Sequence, residues 1–383
     1  MKLPVYLDHH ATTPVDPRVF KAMEPYFSEF FGNPASVTHS FGWQAEEAVK
    51  IARRQVADLI HADPKEIVWT SGTTEAINLA LLGTAPIYRE KGNHLITCAI
   101  EHRAVLETME ALKEKGFRVT FLPVDATGLL DPEAVRREIT DKTILISLMA
   151  ANNEIGTIFP LTEIGKIARE KKILFHVDAA QGCGKIPIDV EAMNIDLCSM
   201  SAHKVYGPKG VGALYVRNRP KVRIAPILYG GKQEGTLRPG TLAVPNIVGM
   251  GKAFEIAGQE MASEGKRIAA LRDRLHEGLK KKLTGIHLNG DPTCRLSGNL
   301  NISFDGVKAV DLMAKLKNVA VSSGAACASG SLEPSYVIRA LGVGDERALS
   351  SIRFGIGRFN TVEEIDFAIN EIVEIVQTVQ ALR

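Results

Sequence analysis

Ile195-Asp-Leu-Cys-Ser-Met-Ser201-Ala-His-Lys204-Val-Tyr-Gly-Pro-Lys-Gly210 is the stretch whose reading decides the fold. An apolar run ends in a polar turn that carries a lysine, with glycine and proline close behind. It reads as a strand that delivers Lys204 to the rim of a sheet. Upstream, Ile173-Leu-Phe-His-Val-Asp178-Ala-Ala-Gln181 repeats the pattern and ends in a carboxylate, 26 residues before Lys204. Further upstream, Ile67-Val-Trp-Thr70-Ser-Gly-Thr-Thr74-Glu-Ala-Ile-Asn78 is a strand that runs into Ser-Gly and then into a helical pattern opened by threonines. In an open α/β sheet, ligands sit beyond the carboxyl ends of the strands, where these three segments place their polar residues.

Outward from these segments, strand-like and helical runs alternate. Phe41 to Leu59 and Thr73–Leu82 read as helices, as do Ala104–Lys115 and Leu161–Lys171. His94–Thr97, Val119–Leu122, Ile144–Met149 and Val211–Val216 read as further strands. The alternation predicts an α/β fold with a mostly parallel sheet covered by helices. From about Asn246 a charged, periodic stretch runs to Leu283 and leads into a second domain. That domain has strands near Leu300–Phe304, Val319–Ser322 and Ser351–Phe354 and a last helix over Val362–Leu382. There are no internal repeats, and the low-complexity patch is Ser322 to Ser331.

The chain has 383 residues, 45% apolar and 23% charged, as in ordinary globular proteins. Its length suits about two or three domains. The net charge of +2 leaves no footprint for nucleic acid or an anionic membrane. No apolar run is long enough to span a bilayer. The opening Met1-Lys-Leu-Pro-Val-Tyr-Leu-Asp8 does not read as a signal peptide, so the expected location is the cytoplasm. The 5 cysteines are scattered without a Cys-x-x-Cys pair, which argues against a disulfide framework and against a structural zinc site. Cys98 and Cys198 lie in apolar runs and read as buried small hydrophobes, while Cys183 and Cys294 carry no clear signal.

The polar residues suggest one chemistry. A lysine at a sheet rim can form a Schiff base with an aldehyde cofactor, pyridoxal phosphate (PLP). Such a site needs a carboxylate against the pyridine nitrogen, and Asp178 supplies one. It also needs a phosphate cradle, and a helix N-terminus with threonine hydroxyls supplies that. Each residue also has a plainer reading: a surface lysine beside a turn, a helix N-cap at Asp178, ordinary caps at the threonines. No nucleotide P-loop is present. Ser322-Ser-Gly-Ala-Ala-Cys327-Ala-Ser-Gly-Ser331 holds only Ser, Gly, Ala and one Cys. Such a segment reads as a mobile loop exposing a nucleophile, or else as a flexible linker that happens to hold a cysteine. It names no general base for Cys327.

Taken together, the chain resembles the NifS/IscS-type cysteine desulfurases, PLP-dependent enzymes of aminotransferase class V and fold type I. The motifs that carry the resemblance run along nearly the whole chain. They are Tyr6-Leu-Asp-His-His-Ala-Thr-Thr-Pro-Val15, Gly32-Asn-Pro-Ala-Ser36, Thr70-Ser-Gly-Thr-Thr-Glu75, Glu101-His102, Asn152-Asn-Glu-Ile-Gly156, His176-Val-Asp178-Ala-Ala-Gln181, Ser201-Ala-His-Lys204, Arg238-Pro-Gly-Thr241 and Ser351-Ile-Arg-Phe354. The cysteine loop is similar to the group I form.

The resemblance implies a large PLP-binding domain over 16–258 with a mostly parallel seven-stranded sheet. It implies a smaller α+β domain from 1–15 and 259–383, which carries the cysteine loop 322–334. It further implies that Lys204 holds the cofactor as a Schiff base and moves protons at the substrate α-carbon. Asp178 would pair with the ring nitrogen, Gln181 with the ring phenol oxygen, and His102 would stack on the ring and act as acid or base. Thr73, Thr74, Ser201 and His203 would bind the phosphate, and Thr241 would reach the phosphate of a neighbouring subunit, which makes a homodimer with shared sites. Arg353, helped by Asn153, would take the substrate carboxylate, a task that suits a guanidinium fork. Cys327 would accept the sulfur of L-cysteine as a persulfide, leaving L-alanine, and pass it to an acceptor or an iron–sulfur scaffold protein. No resident metal is implied; Cys327 would ligate an iron–sulfur cluster only in a complex. The chain stops at Leu382-Arg383, just after the last helix, which leans toward the shorter NifS-like branch. Selenocysteine lyase activity, another fold type I lyase or aminotransferase, and a non-catalytic sulfur-carrier scaffold remain open alternatives.

Overall fold

The computed structural model describes residues 2–323 and 333–381. Among these residues the strands are β1 (Val5–Tyr6), β2 (Ile67–Thr70), β3 (His94–Cys98), β4 (Arg118–Leu122), β5 (Thr143–Met149), β6 (Leu174–Asp178), β7 (Leu197–Ser201), β8 (Gly212–Val216), β9 (Ile286–Asn289), β10 (Asn299–Phe304), β11 (Val319–Ala320) and β12 (Ser351–Gly355). Seven of them form one sheet in the order β2-β8-β7-β6-β5-β3-β4. The pairs from β7 through to β4 are parallel, whereas β8 runs antiparallel to both β2 and β7. The fold is therefore α/β with a mostly parallel seven-stranded sheet.

The strand sequences explain the burial. Every residue of β5, Thr-Ile-Leu-Ile-Ser-Leu-Met, is buried, as expected for a sheet covered on both faces. The covering helices are amphipathic: Arg103–Glu114 buries Val105, Thr108, Met109 and Leu112 and turns its charges to solvent. Helix starts are set by short acceptor side chains. Asp131 accepts from the Glu133 backbone N–H with proline in the first turn of the helix Pro132–Glu138, and Asp16 does the same for Pro17–Met23.

A second core lies around the antiparallel sheet β12-β10-β9. The long helix Val244–Lys282 serves both cores. Its first part packs Val244, Ile247, Met250, Phe254 and Ala257 against the large sheet, and its last part packs Ile268, Leu271, Leu275 and Leu279 against the small one. No residue from 258 to 267 on this helix is buried. Val5 and Leu7, at the start of the chain, join the second core. The two bodies are tied by a buried charge cluster in which Arg358 reaches Asp16 at 2.8 Å and Glu264 at 2.7 Å. Charged partners in one network hold geometry better than an isolated surface pair.

The structure corrects the expected element map in places. The strand expected over Val319–Ser322 stops at Ala320, because its partner β1 is only two residues long; Ser322 makes an isolated bridge to Arg353 instead. Short helices at Pro17–Met23, Pro132–Glu138, Ala309–Lys315, Tyr336–Ala340 and Asp345–Leu349 carry too few turns to show a period in the sequence. Cys98 and Cys198 are buried, as expected, and Cys183 joins them while Cys294 is exposed. Cys327 lies outside the described residues.

Candidate active site

The carboxyl ends of β2, β6 and β7 open onto a cleft of about 580 Å³. Thr73, Thr74, His102, Asn153, Asp178, Gln181, Ser201, His203, Lys204 and Arg353 all line it. Thr241 does not; it lies exposed just before the long helix. The volume falls within the usual range for small-molecule sites.

Lys204 follows β7 and its Nζ donates to the carbonyl oxygens of His10 at 2.6 Å and Ala11 at 2.8 Å. Asp178 ends β6, buried, and its Oδ1 accepts from the Ala180 N–H at 2.9 Å. Burial pushes its carboxyl up, and the neighbouring His102 and Lys204 pull it back. The neighbouring Glu101 is fully buried, and burial followed by the Asp178 charge pushes its carboxyl well above the ordinary range. Of this pair, both carboxyls are raised, Glu101 the more strongly.

His102 caps the helix Arg103–Glu114, its Nδ1 accepting from the Ala104 N–H at 3.1 Å. An accepting Nδ1 leaves the proton of the neutral ring on Nε2. Below the sheet end, His176 sits fully buried between Ser147 and Ser199, each 2.8 Å from one ring nitrogen. Burial lowers its pKa to about 3, so the ring is neutral.

At the far side, the helix Thr73–Thr84 begins at Gly72, which has no side chain to cap the first N–H groups. Glycine is needed across from it as well: a Cβ on Gly212 in β8 would come within 2.7 Å of the Gly72 backbone. Thr73 Oγ1 is buried without a hydrogen-bond partner. His203 Nδ1 lies 3.1 Å from Thr12 Oγ1, and burial, then Lys204, lowers its pKa to about 4. The ring is therefore neutral.

Arg353, in the middle of β12, comes from the second core. It is buried, with Nη2 2.7 Å from Asp8 Oδ1 and Nη1 donating to the Asn153 carbonyl at 3.0 Å. Its Nε has no partner. Asp8 also accepts from Ser322 Oγ at 3.0 Å.

The aminotransferase class-V family model matches residues 5–367. The chain belongs to the aminotransferase class-V family. Among curated relatives it is similar to a cysteine desulfurase IscS of Anaeromyxobacter sp. (strain K), with 58% identity over 369 residues, 96% of this chain and 91% of that protein. A cysteine desulfurase IscS of Rickettsia rickettsii (strain Iowa) is 53% identical over 382 residues, 100% of this chain and 93% of the relative. Among solved structures, a NifS-like protein superposes with a TM-score of 0.91 at 38% identity, covering 98% of this chain and all of the other. A NifS-like protein from Rickettsia africae ESF-5 superposes with a TM-score of 0.87 at 30% identity, with 98% and 100% covered.

Class-V enzymes are PLP-dependent, and the cleft fits that group. A partnerless buried hydroxyl and an uncapped helix N-terminus suit a phosphate. A buried carboxylate and a lysine on the same wall suit the ring and its aldehyde. The structure adds residues to which the sequence reading gave no role. The carbonyls of His10 and Ala11 hold Lys204, Asp8 pairs with Arg353, and Lys185 donates to Gln181 Oε1 at 2.7 Å. Lys185 had a legible signal: it is the lone charge between Gln181 and Asp189. The backbone carbonyls of His10 and Ala11 had none, because a carbonyl acts by position and not by residue type.

Proposed function

We propose that this chain is a cysteine desulfurase that binds PLP in the cleft, converts L-cysteine to L-alanine and passes the sulfur through Cys327 to an acceptor. The observation that carries the reading is the convergence of Lys204, buried Asp178 and the uncapped Thr73 helix in one cleft, with Arg353 facing them from the second core. The relatives named above support the choice of substrate. When bound, PLP supplies an electron sink for the bonds of the substrate α-carbon.

The chain's own residues do the rest. Lys204 provides the amine that anchors the cofactor and then carries protons at the α-carbon. Asp178 holds the proton of the ring nitrogen, and Gln181 donates to the ring oxygen. His102, with its proton on Nε2, covers the ring and serves as acid or base. Thr73, Thr74, Ser201 and neutral His203 hold the phosphate. Arg353 takes the substrate carboxylate beside Asn153. The Cys327 thiolate bonds to the substrate sulfur as the C–S bond breaks; that bond's electron pair stays on carbon, which takes up a proton. The products are a persulfide on Cys327 and alanine. A thiol or a scaffold protein then accepts the outer sulfur.

The same proposal extends to the assembly. We take 16–258 as the large domain and 1–15 with 259–383 as the small one, with the boundary in the unburied middle of the long helix. Phe27 (60% exposed), Phe31 (65%), Val37 (74%) and Trp43 (55%) are large apolar side chains left exposed within one stretch of chain, which supports a homodimer. In it, Thr241 reaches the partner's phosphate. No helix among the described residues is long and apolar enough to cross a membrane, in line with a cytoplasmic enzyme.

The test is to incubate the PLP-loaded protein with L-cysteine and a thiol reductant and to measure sulfide and alanine. Equal amounts of both are expected. A PLP-coloured protein that yields neither product overturns the reading.

A further inference from the structure

Lys185 sits in the turn after Gln181, beside a cavity of about 50 Å³ that lies behind the cleft and is shared with Lys204. Among the described residues lining this cavity there is no carboxylate free to pair with it. His9 and His10 come from the N-terminal segment, Lys204 and Tyr206 from the loop after β7, and Glu264 from the long helix. Glu264 is already bonded to Arg358 at 2.7 Å. Burial and then the Lys185 charge lower the His9 pKa to about 4, and burial drives His10 well below its ordinary value, so both rings are neutral. Burial, with Lys204 and then Arg353 nearby, lowers the Lys185 pKa to about 7. A half-buried amine without a counter-ion among the described residues is costly to keep. What it gains here is one hydrogen bond, to Gln181 Oε1 at 2.7 Å.

That bond decides an orientation. A lysine ammonium only donates, and a backbone carbonyl only accepts. Gln181 stands between the Lys185 amine and the carbonyl of His10, to which its Nε2 donates at 2.9 Å. His10 Nδ1 lies 3.1 Å from the same Oε1. A flipped amide would set its NH2 against the amine and its oxygen against a carbonyl. In the observed orientation one amide hydrogen has no partner among the described residues, on a side chain that lines the cleft.

We propose that Lys185 is a positioning residue: it locks the Gln181 amide so that an N–H is presented to the ring oxygen of the cofactor. The proposal rests on the PLP reading above. A donor at that oxygen stabilises its negative charge and makes the lysine–cofactor link easier to deprotonate.

The experiment is a pH titration of the visible absorption band of the PLP-loaded protein. Lys185→Met is expected to raise the midpoint by about half a pH unit or more. Lys185→Arg, which keeps a donor, should bring it back toward the wild-type value. In a Gln181→Leu background the Lys185→Met shift should fall to less than half. An unmoved midpoint overturns the proposal. So does a shift of undiminished size in the Gln181→Leu background, which would mark a direct charge effect. Should Lys185→Met fail to fold, Lys185→Leu, which likewise has no donor, is read in the same way. A wild-type protein without any visible band overturns the PLP reading itself, whereas a normal band with an unmoved midpoint overturns only the role of Lys185.

Discussion

The two walls of the cleft follow opposite rules. The wall made by the carboxyl ends of β2, β6 and β7 leaves polar groups open: Thr73 Oγ1 lacks a partner and the helix behind Gly72 has no side-chain cap. The wall made by β12 and the N-terminal segment is more nearly closed, with Arg353 held by Asp8 and by the Asn153 carbonyl, although its Nε and His10 Nε2 are without partners among the described residues. A ligand on the first wall adds hydrogen bonds to groups that have none. A ligand on the second mostly shares or displaces bonds already made at the two Nη groups of Arg353. Unmade bonds in a buried site are expensive, so the first wall favours a resident group. Exchange at nearly even energy suits a substrate that arrives and leaves.

The strongest way to break this contrast is to remove the lysine of the first wall. Lys204→Ala should lower steady-state sulfide release from L-cysteine by ~10³-fold or more, the scale of losing an essential acid–base group. PLP should still bind, since the phosphate side and Asp178 are untouched, but without the absorption band of the lysine link. Near-normal turnover in this variant would remove Lys204 from the chemistry and with it the case for a resident group on this wall.

How legible each wall was in the sequence follows from the same contrast. The first wall was readable because strand, turn and polar residue are consecutive there: Asp178 closes β6, Lys204 follows β7, and Thr73 opens a helix after β2. Local pattern and function share one stretch of chain. The second wall joins Asp8, Asn153 and Arg353, which are far apart in sequence, and only the bridge from the N-terminal segment to β12 brings them together. The family resemblance supplied Arg353 and Asn153, but nothing local announced the ion pair to Asp8. The structure also gives Asn153 a backbone duty, since its carbonyl oxygen accepts from Arg353.

Below the first wall, His176 offers a measure of how rigidly the sheet end is held. Its folded pKa of about 3 lies far below the ordinary value of 6.5, because burial opposes the charged ring. The unfolded chain therefore binds a proton that the folded one refuses wherever pH lies between these values. Stability is fully present above pH about 6.5 and is lost as pH falls, at about 1.4 kcal/mol per pH unit for this group. His176→Asn should flatten the fall of the urea midpoint between pH 6.5 and 5. An unchanged slope would mean that the ring takes its proton inside the folded sheet and that the wall yields.

The smallest expected effect belongs to the second wall and sharpens the contrast most directly. Asp8 places a carboxylate against the guanidinium that we propose receives the carboxylate of L-cysteine. Two like charges then meet at one cation, and the incoming one is disfavoured. Asp8→Asn keeps an oxygen that can accept from Arg353 and from Ser322 but removes that charge. Arg353 retains its bond to the Asn153 carbonyl and its place in β12. The KM for L-cysteine should therefore fall by about threefold, the size of a modest, partly screened charge interaction, with kcat nearly unchanged. A KM that rises instead would mean that the ion pair aims Arg353 at the substrate. The second wall would then be organised in advance like the first, and the difference between the two would lie only in which of their bonds are made before the ligand arrives.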